Sequence, residues 1–82
     1  PAPYEEYALA RAAIQAAQDA DSARYVTAIY RRAEDNFRNG QKAFKDGDNL
    51  EAKKFFRNAI QLAEKAENMT KLKKFQSGDS FP

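Results

Sequence analysis

Asp46, Asp48 and Glu51 gather around Gly47 in the stretch AFKDGDNLEAKKFF, residues 43–56. Three carboxylates beside a glycine are the raw material of a calcium site. They do not fit the EF-hand loop, which needs ligands at alternating positions and a closing glutamate at its far end. Helix capping accounts for all three. Gly47 suits the left-handed backbone that ends a helix. Asp48, with Glu51 three residues on, is a variant of the capping box that opens the next one. No GxxxxGK[ST] run is present to cradle a phosphate. The other paired acids, Glu5–Glu6 and Glu34–Asp35, are sequence neighbours, which point in different directions from a helix and do not converge for acid–base work. The chain has no histidine and no cysteine, so imidazole bases, thiolates, disulfides and nearly every structural zinc site are excluded. The expectation is no catalytic residue, no metal, no cofactor, and a chain that is not an enzyme.

Bases and aromatics offer binding chemistry instead. Arg24, Arg31, Arg38, Lys42 and Lys45 form one stripe, and Lys71, Lys73 and Lys74 cluster beside Phe75. Fourteen bases stand against twelve acids, giving +2, and a balance this close makes only a weak steering field. Nucleic acid is therefore disfavoured as a partner. Lys71, Lys73 and Lys74 are kept as a contact for an anionic surface such as a membrane leaflet. Tyr7, Tyr25, Tyr30 and Phe37 could line a ligand groove, but aromatics at helical spacing more often belong to a core edge with the hydroxyl wet.

These residues must be held by helices. Alanine and other helix formers dominate the 82 residues, and the three prolines sit at positions 1, 3 and 82. A single domain over residues 1–74 is expected, with a flexible tail over 75–82. The first helix, about 3–19, carries Tyr7, Ala10, Ile14 and Ala17 on one stripe, with Ala13 beside it. The second, about 24–46, carries Val26, Ile29, Ala33, Phe37, Gly40 and Phe44, with Asp21, Ser22 and Thr27 as alternative N-caps. Arg31 with Asp35, and Glu34 with Arg38, are spaced for ion pairs on its surface. The third, about 48–74, carries Ala52, Phe55, Phe56, Ala59, Leu62, Ala63, Ala66 and Met69. Gln61, Lys65 and Asn68 point away. The corner at Gly47–Asp48 is so short that the helices flanking it must lie side by side. The fold class is all-α, an antiparallel three-helix bundle. The longest uncharged run, Ala12–Gln18, is too short to span a bilayer.

Two resemblances follow from these residues. Asn36–Leu62 resembles a tetratricopeptide helical hairpin, through Gly40, Gly47 and Asp48 and then Ala52, Phe56 and Ala59. It departs at Ala43, where the repeat has a large aromatic, and at Glu64, where it ends in proline. In physical terms Gly40 and Ala52 let the helices touch, and Phe56 fills the space beside them. Over a longer span, Ala10, Ala13, Ile14, Ala17, Ala23, Tyr25, Ala33, Gly47-Asp48, Ala52, Ala59, Ala63 and Ala66 resemble an alanine-rich helical domain of unknown function. That domain is found in Gram-negative envelope lipoproteins, alone or ahead of an OmpA-like domain. Thr27 stands where that family commonly has proline. This resemblance implies the periplasm or outer membrane and a lipid anchor carried upstream of Pro1. Since the chain opens on Pro1 rather than Met, a removed leader and a trimmed chain both fit.

Two functions remain open. One is a non-enzymatic envelope interaction or scaffold module, with a protein partner or self-association and proximity to a membrane surface. The other is a soluble tetratricopeptide-like adaptor that binds a peptide or an anionic surface.

Overall fold

The computed structural model describes residues 1–78, and these form four helices: α1 Tyr4–Asp19, α2 Ser22–Tyr25, α3 Thr27–Lys45 and α4 Asn49–Ser77. Every element is helical, and no strand occurs among the described residues. Pro3 precedes α1, and its carbonyl accepts from the Tyr7 amide at 2.9 Å, so the first turn starts where proline's missing N–H does no harm. Glu5 and Glu6 then face the positive end of the helix dipole.

The sequence places one helix over 24–46, and the structure divides that region. A single turn, α2, is closed by the Val26 amide donating to the Ser22 carbonyl at 2.8 Å. Val26 itself leaves helical geometry, with φ −137° and ψ 57°, before α3 begins. Two β-branched residues, Val26 and Thr27, resist continuing the turn, and the break lets both Ser22 and Val26 face inward. None of the three expected caps closes an N-terminus with its side chain. Asp21 stands before α2 in the left-handed region, φ 73°, without a capping bond. Ser22 is buried against Thr70. The Thr27 hydroxyl donates backwards to the Ala23 carbonyl at 2.7 Å.

At the other corner the local chemistry runs to completion. Gly47 has φ 84°; its amide donates to the Phe44 carbonyl and the Asp48 amide to the Ala43 carbonyl, the paired bonds of a Schellman motif. Asp48 then caps α4, its carboxylate accepting from the Glu51 amide at 3.1 Å. α4 runs three residues beyond the expected end at Lys74, because nothing in residues 75–77 breaks a helix and Gly78, φ 82°, supplies the left-handed stop. Residues 75–77 of the expected tail are thus helical, and 79–82 lie outside the described residues.

α4 packs against α1, α2 and α3. Its 29 residues span about 43 Å, which accounts for the long axis of a 46 × 20 × 13 Å body. Lys53 of α4 pairs with Glu6 of α1 at one end, and Thr70 meets Ser22 at the other. α1 and α4 therefore run the same way, and α3 runs against both.

Two apolar clusters fill the interior. Ala10, Ala52, Phe56 and Ala59 form one, with Tyr7, Phe37 and Phe44 around them. Ala17, Val26, Tyr30, Ala33, Ala63 and Ala66 form the other, with Ala13, Ile14, Leu62 and Met69 at its edge. The stripes expected on the three long helices are the faces that meet. Thr70 belongs to that buried face too, although its type gives no sign of it.

Thr70 is satisfied twice over. Its hydroxyl donates to the Ala66 carbonyl at 2.7 Å and lies 2.7 Å from the Ser22 hydroxyl. A threonine hydroxyl has one proton, so Ser22 is the donor between the two. Thr70→Val would leave that buried donor without an acceptor and is expected to cost about 1–3 kcal/mol. The double variant Ser22→Ala/Thr70→Val should recover most of the loss. Urea titrations of the four proteins check this, and equal losses in the single and double variants would contradict it.

Candidate interaction surfaces

The corner residues are positioned by close helix contact. Gly40 sits on α3 where a Cβ would lie 2.6 Å from two carbons of the Phe56 ring. The absent side chain is the space the ring occupies. Ala52, Phe56 and Ala59 are fully buried. Phe56 meets Tyr7 edge-on, centroids 5.6 Å apart, and Phe37 at 5.7 Å. Tyr7 stacks on Phe37 at 5.5 Å, and Tyr4 meets Phe44 edge-on. Tyr7 and Phe37 are thereby core-edge residues of one aromatic group, and Tyr30 belongs to the other cluster.

The acids serve as caps and ion-pair partners, most of them within one helix turn. Asp48 caps α4, Glu51 pairs with Lys54 at 3.8 Å, Glu6 with Lys53 at 3.9 Å, and Asp35 with Arg38. The spacing i,i+3 prevails for Arg38; Glu34, expected to pair with it, instead lies at Tyr30. No group of three acids able to hold a metal occurs among the described residues.

Tyr30 is a buried titratable group with a displaced equilibrium. Burial raises its phenol above the ordinary 10.0. The charge of Glu34, and a hydrogen bond to its carboxylate, push the same way. An unfolded tyrosine ionises near 10.0 while the folded one keeps its proton. The unfolded chain then binds fewer protons, so stability is fully present below pH 10 and falls as pH rises beyond it. Tyr30→Phe should lose less stability than the parent between about pH 9 and pH 11. Parallel slopes in denaturant titrations across that range would remove Tyr30 as a source.

The lysine cluster is divided by the helix and held internally. Lys71 pairs with Glu67 at 2.8 Å. The Lys73 ammonium donates to the Tyr25 carbonyl at 3.1 Å, and Lys74 lies over the Tyr25 ring, 5.5 Å from its centroid. Arg24 covers the same ring at 5.5 Å. Tyr25 is thus a clasp between α2 and the end of α4, and each of the three lysines has an intramolecular role.

A different set of polar groups lines a groove between α3 and α4. Arg32 and Asn36 border it from α3; Asn58, Gln61, Leu62 and Lys65 border it from α4. The groove is open to solvent, with a volume of about 400 Å³. The spacing of the α4 residues is visible in the sequence, where Gln61 and Lys65 already point away from the core. Their meeting with Arg32 and Asn36 depends on how the two helices align, which no local pattern states.

No curated protein and no solved structure matched this chain. One family did: residues 5–77, nearly all of α1 through α4, match the profile described as Domain of unknown function (DUF4398), and the chain is a member of that family.

Proposed function

We propose that this domain is a non-enzymatic interaction or scaffold module of the cell envelope, working in the periplasm or at the outer membrane as the protein part of a lipid-anchored precursor. The observation that carries the reading is the distribution of apolar side chains. The interior is filled mostly by alanine, while Tyr4, Leu9, Leu50, Leu72 and Phe75 are 53–70% exposed. Large apolar groups left on a narrow helical body are surface for a protein partner or a second copy. The location rests on the alanine pattern shared with envelope lipoprotein domains. No helix among the described residues is long and apolar enough to cross a membrane. Crosslinking of the full-length gene product in cells, followed by fractionation, tests the reading. A specific envelope partner lost in a Leu72→Ser/Phe75→Ser variant is expected. Recovery in the cytosol alone, or crosslinks indifferent to the variant, would overturn it.

The second reading is a tetratricopeptide-like adaptor, an antiparallel three-helix bundle whose α3–α4 hairpin binds a peptide or an anionic surface. It is favoured by the Gly40–Phe56 contact and the Gly47–Asp48 corner, both solutions that such repeats use. On this reading Lys71, Lys73 and Lys74 would reach an anionic surface by exchanging their internal partners. Binding to anionic vesicles that disappears at high salt supports that contact, and salt-insensitive binding sinks it.

A further inference from the structure

Arg32 and Lys65 take part in no ion pair among the described residues, unlike the bases at Lys53, Lys54 and Lys71. Both border the α3–α4 groove, and no acid lines it. Their relative position follows from the antiparallel alignment. Gly40 faces Phe56, and Ala33 shares a cluster with Ala63 and Ala66. Ascending α3 is therefore descending α4. Arg32 lies level with Lys65 at one end, and Asn36 lies level with Asn58 and Gln61 farther along. The groove has a cationic end followed by a strip of three carboxamides.

That order matches one ligand chemistry. A guanidinium and an ammonium at one end suit a carboxylate, which guanidinium can grip through two parallel hydrogen bonds. Carboxamides both donate and accept, so they complement the alternating N–H and C=O of an extended backbone. The Asn36 amide nitrogen already donates to the Arg32 carbonyl at 2.8 Å. That bond orients the side chain and leaves its oxygen to accept a peptide N–H. A phosphate is a single compact group, with no run of alternating N–H and C=O to follow the carboxamide strip, and would be held at the cationic end. The groove is open along one side, which leaves room for an extended chain, and its volume is in the range of small-ligand clefts.

Resting on the reading of this domain as an interaction module, and naming its partner chemistry, we propose that the α3–α4 groove binds the free C-terminal end of an extended peptide. The terminal carboxylate sits between Arg32 and Lys65, and the preceding backbone amides lie along Asn36, Asn58 and Gln61.

The test is an NMR titration of the intact domain with acetyl-Ala-Ala-Ala, with the same peptide as its C-terminal amide, and with sodium phosphate. The free acid should shift the side-chain amides of Asn36, Asn58 and Gln61. The amidated peptide should bind at least about tenfold more weakly, as should the free acid to Arg32→Gln or Lys65→Gln. All three substitutions, counting the control Arg57→Gln, fall at exposed positions, and each should keep the parent's melting temperature. Arg57→Gln, which removes the same charge from α4, should bind as the parent does. Equal binding of acid and amide would overturn the assignment. So would phosphate shifting the same carboxamides as strongly, which would mark a general anion or nucleic-acid site, or silence in the groove up to about 10 mM peptide. An envelope partner still crosslinked by the Arg32→Gln/Lys65→Gln double variant would overturn this site while leaving the module reading intact.

Discussion

Phe56→Ala is expected to remove about 3–5 kcal/mol of stability, the range for deleting a buried aromatic. Phe56 is the largest side chain with no exposure, and its ring touches Tyr7 of α1 and Phe37 of α3 as well as the Gly40 notch. Truncation therefore weakens the packing of α4 on two helices at once. An 82-residue domain has a total stability of roughly 4–12 kcal/mol, so at the lower end of that range the variant sits close to its unfolding midpoint at room temperature. The other fully buried residues of its cluster, Ala10, Ala52 and Ala59, have no side-chain freedom with which to close the cavity. Urea denaturation followed by circular dichroism measures the effect. A loss below about 1.5 kcal/mol would mean that the helices slide together and that the aromatic contacts contribute little.

Gly40→Ala comes next, and two effects oppose each other. Alanine in a helix interior is better than glycine by about 1 kcal/mol. The added Cβ would meet two Phe56 ring carbons at 2.6 Å and a third at 3.1 Å. A buried ring held by Tyr7 and Phe37 cannot swing aside, so the helices must part. Overpacking of this kind costs about 1–3 kcal/mol. The overlap is close enough for it to outweigh propensity, and the variant should be less stable than the parent. Gly40→Leu should fall further. The discriminating measurement is a cycle with Phe56→Leu, which removes two of the three clashing ring carbons and leaves a side chain free to turn away. In that background Gly40→Ala should cease to destabilise and approach the ordinary helix gain. If the substitution has the same effect in both backgrounds, the notch is not what selects glycine at position 40.

The helices were legible in the sequence because each is specified by information a few residues wide. Periodicity marks the faces of α1, α3 and α4, since residues three and four apart share a side whatever lies opposite. Gly47 and Asp48 mark their corner because a left-handed stop and a carboxylate cap act on backbone groups within five residues. The α1–α3 connection resisted such reading. Asp21, Ser22 and Thr27 all have capping chemistry, and the choice among them was made by distant groups. Ser22 is drawn to Thr70 and Val26 into the core, which leaves Asp21 in a left-handed conformation that glycine adopts most readily and aspartate only occasionally.

Charge shows the same division more sharply. The sequence by itself determined an all-helical chain, the stripes that pack, a stop and start at Gly47–Asp48, and the absence of histidine and thiol chemistry. Which cations find a partner on another helix was decided only by tertiary structure. Lys71, Lys73 and Lys74 look like an open basic cluster in one dimension, yet successive residues on a helix point in different directions. One lysine meets Glu67 and the other two meet Tyr25 of a separate helix. Arg32 and Lys65 look unremarkable 33 positions apart in the chain, yet the antiparallel alignment set by Phe56 against Gly40 brings them to one end of a groove. Local backbone chemistry writes its own positions into sequence, whereas convergence of side chains from two helices depends on register, and register is settled by packing.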